Sequence, residues 1–517
     1  MCIPVVHLLK LFFGEIMITR RAVAIFLIFT LMGQTSSAKM LECHRASNCS
    51  MLSPRLELSE ASLRNSVGAA IDWENEIRAF VRDNTITILG GSGFVGKEVI
   101  RQILDAAGNN HFQQIRLLLR EKSKNAVELI EWLRKRVSEE VFNSKIVVVW
   151  GDHVDYQAVS SVSTGETAVI DTSGLAWQHP PQGLNLSTDK RTRDRELLKI
   201  ELLHNGLAPG IKAIATGGKI TTVWVSTNAV DNMIARLRDA DDRERLQTEL
   251  QNRAKKYVTY LENLFTARGE EGNSFEKDME NAMKFISEDL EDNPPGEYPK
   301  YFDPGEADNP TITYGDVLSY NYSKAVGELV LQSLTEKKLA NVRIAVISDV
   351  YGPGQPILGS ATQKGGVRRG QVFADIALRI AESNVGGPTI DDLMGQHGLS
   401  RDSNGRITQM VWPDYVFPMD VALAAQAILR VLVFPRTTGP KNGRFKVGGE
   451  SMANIEFVKL FQRFAGIEDE YDIIKTSGEI FERLNAGEHL PPLNITARNP
   501  EEGLKLWFSG EVVNSSI

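Results

Sequence analysis

The hydrophobic pattern along the middle of the chain alternates between two kinds of segment. Short runs of apolar and β-branched residues, typical of buried parallel strands, are separated by longer stretches in which apolar residues recur at helical spacing. Because strands and helices alternate, the pattern predicts an α/β fold with a doubly wound parallel sheet. The runs predict strands over residues 85–89, 114–120, 145–150, 167–171 and 220–230.

Helical periodicity covers several of the polar stretches between these strands. It predicts a short helix before the first strand, a charged amphipathic helix after the second, and a longer helix that carries Tyr320. The stretch between Val230 and Tyr320 predicts an inserted pair of amphipathic helices joined by a turn. These segments are residues 73–81, 126–141, 320–334 and the insertion 231–305 with its turn at 269–273.

Three glycines follow the first predicted strand at a regular interval and precede an apolar stripe at helical spacing. The turn has little steric bulk, and the helix N-terminus offers free amides and a favourable macrodipole to a pyrophosphate. The pattern therefore predicts a dinucleotide site, with an ordinary structural turn as the alternative. The predicted cofactor contacts here are Gly90, Ser92, Gly93, Phe94, Val95 and Gly96.

The end of the second predicted strand favours one form of the cofactor. An acidic residue at this place binds the free ribose hydroxyl of NAD, whereas arginine suits the 2′-phosphate of NADP. The chain carries Arg120 there, with Lys122 and Lys124 close behind and Glu121 between. NADP is therefore the predicted cofactor and NAD the alternative, unless Arg120 merely ends its strand in solvent.

Tyr320 and Lys324 are candidates for acid-base chemistry. They are four residues apart in a predicted helix and therefore share one face. A phenol titrates near pH ~10 and is a poor acid or base at neutral pH, but a nearby ammonium stabilises the phenolate and lowers its pKa. The same spacing recurs at Tyr471 and Lys475, which we set aside because no hydroxyl-ended strand precedes it.

The order of these segments resembles the extended branch of the short-chain dehydrogenase/reductase superfamily, the epimerase/dehydratase-like proteins. The glycine spacing, the Arg-ended strand and the Tyr-x-x-x-Lys helix carry the resemblance, and three later segments add to it. It spans roughly residues 86–464 and implies a Rossmann-type sheet with a smaller C-terminal α/β substrate domain. The later segments are 342–355, 415–422 with Asp420 as predicted helix cap, and 445–449.

The resemblance also assigns roles to the end of the fifth predicted strand. In the family the second hydroxyl there is catalytic, which implies a set of Thr227, Tyr320 and Lys324 in this chain. Ser226, beside Thr227, is predicted to contact the cofactor, as are Tyr320 and Lys324. The hydroxyl would orient a substrate oxygen while hydride passes between the substrate carbon and the nicotinamide.

Two other strand ends are expected to border the cofactor. Asp152 matches the family residue beside the adenine, although an Asp after a strand is also a common turn former. Thr172 and Ser173 are small residues that would allow the cofactor to pass close to the backbone.

The resemblance implies an NAD(P)-dependent oxidoreductase or epimerase that transfers hydride at a carbonyl or secondary alcohol of a small molecule, such as a nucleotide sugar. Dehydratases that resemble the chain carry Asp-Glu after the catalytic Thr, whereas this chain has Asn228 and Ala229, which disfavours dehydration. The alternative is a non-catalytic, redox-responsive NAD(P)-binding interaction protein. The insertion would then be its partner surface; otherwise we expect a lid, a dimer contact or an inert hairpin.

Composition narrows the function further. The chain has 517 residues and a net charge of -8 with its acidic and basic residues interspersed, so it has no basic face for nucleic acid. All three cysteines precede the glycine turn, so the folded body has no disulfide, no thiolate metal site and no predicted metal. We expect a small-molecule substrate and leave a homodimer open.

The N-terminus predicts a targeting segment. An apolar run over 22–32 follows Arg20 and Arg21 and precedes small residues, as in a secretory signal or membrane anchor. The alternatives are an organellar or a cytoplasmic enzyme. The predicted domains are a leader at 1–38, a linker at 39–72, a dinucleotide-binding domain at 73–350, a substrate domain at 351–487 interleaved with it, and a tail at 488–517.

Overall fold

A computed structural model describes most of the predicted dinucleotide-binding domain and parts of the segments after it. The predicted leader and linker up to residue 70 lie outside the described residues, as do all three cysteines and the turn at 269–273. The description covers residues 71–121, 123–163, 167–174, 187, 190–217, 220–235, 237, 239–267, 275–299, 311–313, 319–352, 399–401, 403, 407–411, 415–435, 443–448, 452–465, 471–475, 493 and 499–508.

A seven-stranded parallel sheet forms the centre of the molecule, in the order β14-β8-β5-β4-β1-β2-β3. Smaller sheets join β10, β11 and β16; β12 and β15; β13 and β9; and β6 and β7. The strands are β1 Thr85–Leu89, β2 Gln114–Leu119, β3 Ile146–Trp150, β4 Thr167–Asp171, β5 Thr222–Thr227, β6 Glu297–Pro299, β7 Thr311–Thr313, β8 Val342–Ile347, β9 Asp349–Tyr351, β10 Leu399–Arg401, β11 Ile407–Val411, β12 Tyr415–Val416, β13 Pro418–Asp420, β14 Arg444–Val447, β15 Met452–Ala453 and β16 Tyr471–Lys475.

Helices connect the strands of the main sheet. A π-helix, Leu202–Leu207, links α6 to α7 without a break. The α-helices are α1 Trp73–Asp83, α2 Phe94–Ala106, α3 Lys124–Arg136, α4 Glu139–Lys145, α5 Tyr156–Val162, α6 Lys190–Glu201, α7 Ala208–Ala215, α8 Ala229–Ala235, α9 Ala240–Ala267, α10 Phe275–Asp292, α11 Ser319–Glu336, α12 Val421–Val433, α13 Asn454–Ala465 and α14 Pro500–Phe508.

The strand order places a crevice beside β1. β1 pairs with β2 on one side and with β4 on the other, so the chain adds β2 and β3 on one side of β1 and then crosses over to add β4 and β5 on the other. In such sheets ligands bind at the point where the order reverses, outside the carboxyl ends of the strands. The predicted Rossmann-type sheet is confirmed, and its last strand, β14, confirms the strand expected at 445–449.

Local capping explains where the helices differ from the prediction. The single helix predicted over 126–141 is wrong, because two helices meet at Ser138. The Ser138 hydroxyl accepts from the Val141 amide at 3.2 Å, and the acidic pair that follows favours a new helix start. The predicted Asp420 cap is confirmed, since its carboxylate accepts from the amides of Ala422 and Leu423, each at 3.1 Å.

The insertion forms two helices, α9 and α10, as predicted. Their apolar faces lie in a core that they share with the π-helix, α7, α11 and the adjacent face of the sheet. The described part of the insertion is therefore built into the helical layer. Its buried apolar residues include Leu246, Leu250, Ala254, Tyr257, Val258, Leu261, Ala282, Ile286 and Leu290.

No helix in the described ranges combines the length and the apolar character that a membrane span needs. The predicted leader at 1–38 lies outside those ranges, so its role as a signal or anchor stays a prediction.

Candidate active site

The glycine turn after β1 is closed by contacts that leave no room for side chains. Gly90 has φ of +79°, in the left-handed region that favours glycine. The Gly93 amide donates to the Gly90 carbonyl at 2.9 Å. A methyl group at Gly96 would overlap the Gly90 carbonyl oxygen and lie 2.9 Å from Thr172 Oγ1. The helix after the turn can approach this closely only because these positions carry no Cβ.

The turn opens onto the N-terminus of α2, where Gly93 is the N-cap. No side chain caps this end of the helix. The amides of the first helical turn lack intrahelical acceptors and carry the positive end of the macrodipole. The turn therefore fits a pyrophosphate: its backbone donors are available, and the absence of Cβ atoms lets a dinucleotide approach the backbone.

Thr172 and Ser173 hold the end of β4 against this turn. Thr172 Oγ1 donates to the carbonyls of Leu89 and Gly90 at 3.0 and 3.2 Å. A methyl group at Gly90 would lie 2.6 Å from the Ser173 amide nitrogen. Thr172 and Ser173 thus pack the end of β4 against the glycine turn, and the predicted passage of the cofactor beside their backbone stays a prediction.

A buried ion pair lies directly below these residues. Lys212 Nζ is 2.5 Å from Asp171 Oδ2, with the two side chains only 1% and 2% exposed. Ser173 Oγ donates to Asp171 Oδ1 at 2.5 Å and accepts from Lys212 Nζ at 2.8 Å. Removal of either charge would leave the other buried without its partner, so the pair keeps the end of β4 in one conformation.

The ends of β2 and β3 border the side of the crevice where the sequence predicts the adenosine. Arg120 directly follows β2 and is exposed, so its guanidinium is accessible to a phosphate. Asp152 Oδ1 accepts from the Val154 amide at 3.2 Å and lies 3.3 Å from His153 Nδ1. Asp152 thus forms a turn, the alternative weighed from the sequence, and its predicted contact with adenine stays a prediction.

Two histidines meet beside Asp152. His153 Nε2 and His204 Nδ1 are 3.1 Å apart. Burial, together with the charges of Lys212 and Arg120, lowers the pKa of His204 to about 4, although Asp152 opposes the shift. Burial also lowers the pKa of His153 well below its usual value. Both imidazoles are therefore neutral at pH 7 and add no charge to the crevice.

Lys324 reaches from α11 to the carboxyl end of β5. Its Nζ donates to the Val225 carbonyl at 3.1 Å, lies 4.4 Å from the centroid of the Trp224 ring, and is 6.0 Å from that of Tyr320. Burial, together with the nearby charge of Lys212, lowers the pKa of Lys324 to about 8, although Asp171 opposes the shift. Tyr320 and Lys324 are therefore adjacent on α11, as predicted, at the end of the strand that carries Thr227.

The two hydroxyls at the end of β5 have different environments. Thr227 is half-buried, and its Oγ1 accepts from the Ala229 amide at 3.2 Å, which leaves its hydroxyl proton for another acceptor. Ser226 is buried, and its Oγ donates to Glu328 Oε1 at 2.5 Å. Glu328 in turn is paired with Arg444 at 2.7 Å. Ser226 thus belongs to a structural network, and its predicted cofactor contact stays a prediction.

Asn205 joins the site through the π-helix. Its Nδ2 donates to Ser323 Oγ at 3.2 Å. A methyl group at Gly174 would lie 2.9 Å from Lys324 Nζ and 3.3 Å from Asn205 Oδ1, so the lysine and the amide converge at this glycine. A π-helix is rare and often marks a functional site, because the extra residue per turn redirects the side chains around it. Here it directs His204 and Asn205 toward the crevice.

No pattern in the sequence predicts the Asp171–Lys212 pair, Asn205 or the contact between the two histidines. Each depends on a contact between residues far apart in the chain, for which no spacing motif exists. The available signal was weak: His204 is a polar residue among leucines at helical spacing. Among the described residues, no group of three or more His, Cys, Asp or Glu is placed to hold a metal ion.

The chain is similar to known proteins in one segment of its sequence and in its fold. Residues 88–157, from the end of β1 to the start of α5, match an NAD-binding family model described as "Male sterility protein". No curated protein matches the chain.

Several solved structures have a similar fold. The dTDP-glucose 4,6-dehydratase DesIV from Streptomyces venezuelae, with NAD and TYD bound, is 14% identical, with a TM-score of 0.45 over 82% of this chain and 96% of that chain. The dTDP-glucose 4,6-dehydratase of Bacillus anthracis str. Ames, in complex with NAD, is 12% identical, with a TM-score of 0.43 over 84% and 97%. The epimerase Mth375 from Methanothermobacter thermautotrophicus is 13% identical, with a TM-score of 0.45 over 85% and 96%. Similarity at this level assigns neither substrate nor mechanism.

The strand order, the glycine turn and the matched segment agree with one another. The chain has a Rossmann-type parallel sheet, and over residues 88–157 it is similar to an NAD-binding family. The family match falls on the half of the sheet that holds the glycine turn and Arg120, which are the features that carried the resemblance in the sequence.

Proposed function

We propose that the chain is an NADP-dependent oxidoreductase or epimerase that acts on a carbonyl or secondary alcohol through Thr227, Tyr320 and Lys324. The observation that carries this proposal is the buried Lys324, whose Nζ donates to the Val225 carbonyl at the end of β5 on the same helix face as Tyr320. An ammonium with a pKa of about 8 is mostly protonated at neutral pH, and it stabilises a phenolate beside it.

The proposed mechanism assigns one task to each side chain. A bound nicotinamide supplies or accepts the hydride. Thr227 orients the substrate oxygen through its hydroxyl proton. Tyr320 donates a proton to that oxygen during reduction and removes it during oxidation, and Lys324 stabilises the phenolate that remains.

The preference for NADP rests on Arg120. Its exposed guanidinium directly follows β2, where a 2′-phosphate on the adenosine ribose would meet it. A guanidinium and a phosphate form strong charge-assisted hydrogen bonds, whereas the free hydroxyl of NAD offers no charge. NAD remains the second cofactor to test.

Reduction, oxidation and epimerisation are favoured over dehydration. Asn228 and Ala229 occupy the positions where the related dehydratases carry acids, and neither can protonate a leaving hydroxyl. The main-chain amide of Asn228 instead donates to the Ile347 carbonyl at 2.9 Å, which links the end of β5 to β8. The nucleotide sugar is the first substrate class to test, followed by acyl thioesters and sterols.

The substitution Tyr320→Phe tests the proposal against a non-catalytic binding role. The variant lacks only the phenolic oxygen, so we expect NADPH affinity within about twofold of wild type and turnover lower by about two to four orders of magnitude. The measurement is NADPH oxidation with the substrate panel, next to an NADPH binding titration. Full activity in the variant would exclude the proposed mechanism, and consumption of NADPH separates reduction from epimerisation.

The compartment is a separate proposal. The apolar run at 22–32 and its flanking residues support a cleaved signal or an anchor. N-terminal sequencing of the mature chain, after expression in full length, tests it. A start near residue 39 supports cleavage, and an intact leader in a membrane fraction supports anchoring.

A further inference from the structure

The insertion is bonded to the helix that carries Tyr320 and Lys324. Between these two residues lies Tyr322, whose side chain is fully buried. Its hydroxyl donates to Glu249 Oε1 at 2.5 Å and accepts from Arg253 Nε at 3.0 Å. Both partners lie on α9, the first helix of the insertion. The same short stretch of α11 therefore carries Tyr320 and Lys324 at the end of β5 and the residue that is hydrogen-bonded to the insertion.

Glu249 and Arg253 are themselves held by the rest of the insertion. Glu249 Oε2 accepts from the Tyr298 hydroxyl at 2.8 Å and from the Gly296 amide at 3.0 Å. Arg253 forms an ion pair with Asp289 on α10, and both side chains are 2% exposed. A buried pair of charges with satisfied hydrogen bonds holds one geometry, because any other arrangement leaves a charge without a partner.

Helix geometry separates the two sets of contacts on α11. Tyr320 and Lys324 are four residues apart and share a face, whereas Tyr322 lies roughly 200° around the helix from Tyr320 at 3.6 residues per turn. Lys324 bonds to β5 on one side and Tyr322 bonds to α9 on the other. The insertion thus restrains rotation of α11 about its own axis.

The position of Tyr320 makes this restraint relevant to the reaction. α11 begins at Ser319, so Tyr320 lies in the first helical turn, where helices lack intrahelical hydrogen-bond partners and fray. Two residues further along the helix, Tyr322 is hydrogen-bonded to the insertion.

We propose that Glu249 and Arg253 are positioning residues that act through Tyr322 to hold the first turns of α11, so that Tyr320 and Lys324 face the crevice. The inference rests on the proposed function, because it assumes that these two residues meet the cofactor. It assigns the insertion a catalytic support role in place of the lid, the partner surface or the inert hairpin.

The chain offers a matched pair of variants to test this. Tyr322→Phe and Tyr298→Phe each remove one tyrosine hydroxyl that donates a hydrogen bond to the carboxylate of Glu249. Only Tyr322 belongs to α11. The test measures NADPH affinity of the full chain from pH 6 to pH 10 by fluorescence, since the dependence of affinity on pH reports the pKa of groups in the free protein. Lys324→Met serves as the reference for the lysine.

In the wild-type chain, NADPH affinity should fall as the pH rises through about 8, where Lys324 loses its proton. Tyr322→Phe should move this break upward by about one pH unit, because a released lysine regains water and its pKa returns toward its usual value. Tyr298→Phe should leave the break in place. The charged groups that face Lys324 are unchanged in both variants: Asp171, Lys212, Glu201 and Glu328.

A role in stability alone would lower the melting temperature of both variants without moving the break. The same pH break in Tyr322→Phe as in wild type, or an equal displacement in Tyr298→Phe, overturns the positioning role. A wild-type profile without a break, unchanged in Lys324→Met, instead overturns the contact between Lys324 and the cofactor and with it the proposed function.

Once a substrate is identified, Tyr322→Phe should lower kcat about tenfold with little change in KM, whereas Tyr298→Phe should change neither kcat nor KM.

Discussion

The two halves of the crevice are held by different interactions. On the proposed adenosine side, between β1 and β3, the contacts are made by backbone atoms, and glycines allow close approach at Gly90 and Gly96. On the proposed reactive side, between β4 and β8, buried charged side chains determine the geometry: Asp171 with Lys212, Glu328 with Arg444, and Lys324 above Trp224.

This difference shows how each half obtains its rigidity. The glycine turn is held by a backbone hydrogen bond and by close packing against β4, and it tolerates no added side chain. The charged half is rigid because each buried charge needs its partner, so it does not tolerate the loss of either member of a pair. Substitutions that add atoms should therefore damage the first half most, and substitutions that remove charges the second.

The largest effect is expected from Gly96→Val. The new side chain would overlap the Gly90 carbonyl oxygen and crowd Thr172, so the turn cannot close over a pyrophosphate. We expect loss of measurable NADPH binding in a fluorescence titration. The control is Gly108→Ala, where a methyl group meets nothing within 4 Å and the positive φ of +58° costs only about 1 kcal/mol. Normal binding by Gly96→Val would contradict this role of the glycine turn.

Next in size is Lys212→Met, which leaves the Asp171 carboxylate buried without its cation. We expect a loss of about 3–5 kcal/mol in the free energy of unfolding, measured in urea. The exposed pair of Lys337 and Glu262 provides the control, since Lys337→Met should cost less than about 1 kcal/mol. Equal losses in both variants would show that burial of the pair is unimportant.

Arg120→Ala sharpens the comparison on the adenosine side, where a charged side chain serves the ligand instead of the fold. NADPH affinity should fall about 10- to 100-fold, as expected for the loss of a charge-assisted hydrogen bond, while NADH affinity stays within about twofold. Because Arg120 is exposed, the melting temperature should not change. A parallel loss for both cofactors would place the 2′-phosphate elsewhere.

The smallest effect concerns the histidines. The pKa of His204 is about 4 in the folded chain, so the unfolded chain binds an additional proton between pH 4 and the usual value of 6.5. Folding stability is therefore present above pH 6.5 and is lost as the pH falls toward 4. His204→Gln should reduce this loss by on the order of 1–2 kcal/mol in denaturation curves at pH 4.5 and pH 7. An unchanged pH dependence would show that folding does not lower the pKa of His204.

The same contrast decides how much could be predicted from the sequence. The glycine turn, the strand that precedes it and the Tyr320–Lys324 spacing are local patterns, and the structure shows each of them in place. The partner of Asp171 lies on α7, and the partners of Tyr322 lie in the insertion, so only tertiary packing brings them together. The break at Ser138 was missed because the apolar periodicity continues across it, although a serine before two glutamates is itself a signal for a helix start.

The most direct test is a crystal structure of the complex with NADP. The account predicts the pyrophosphate against the glycine turn at the N-terminus of α2, the 2′-phosphate at Arg120, and the nicotinamide beside the hydroxyls of Thr227 and Tyr320. A dinucleotide bound elsewhere, or a Tyr320 hydroxyl directed away from the nicotinamide, would contradict it.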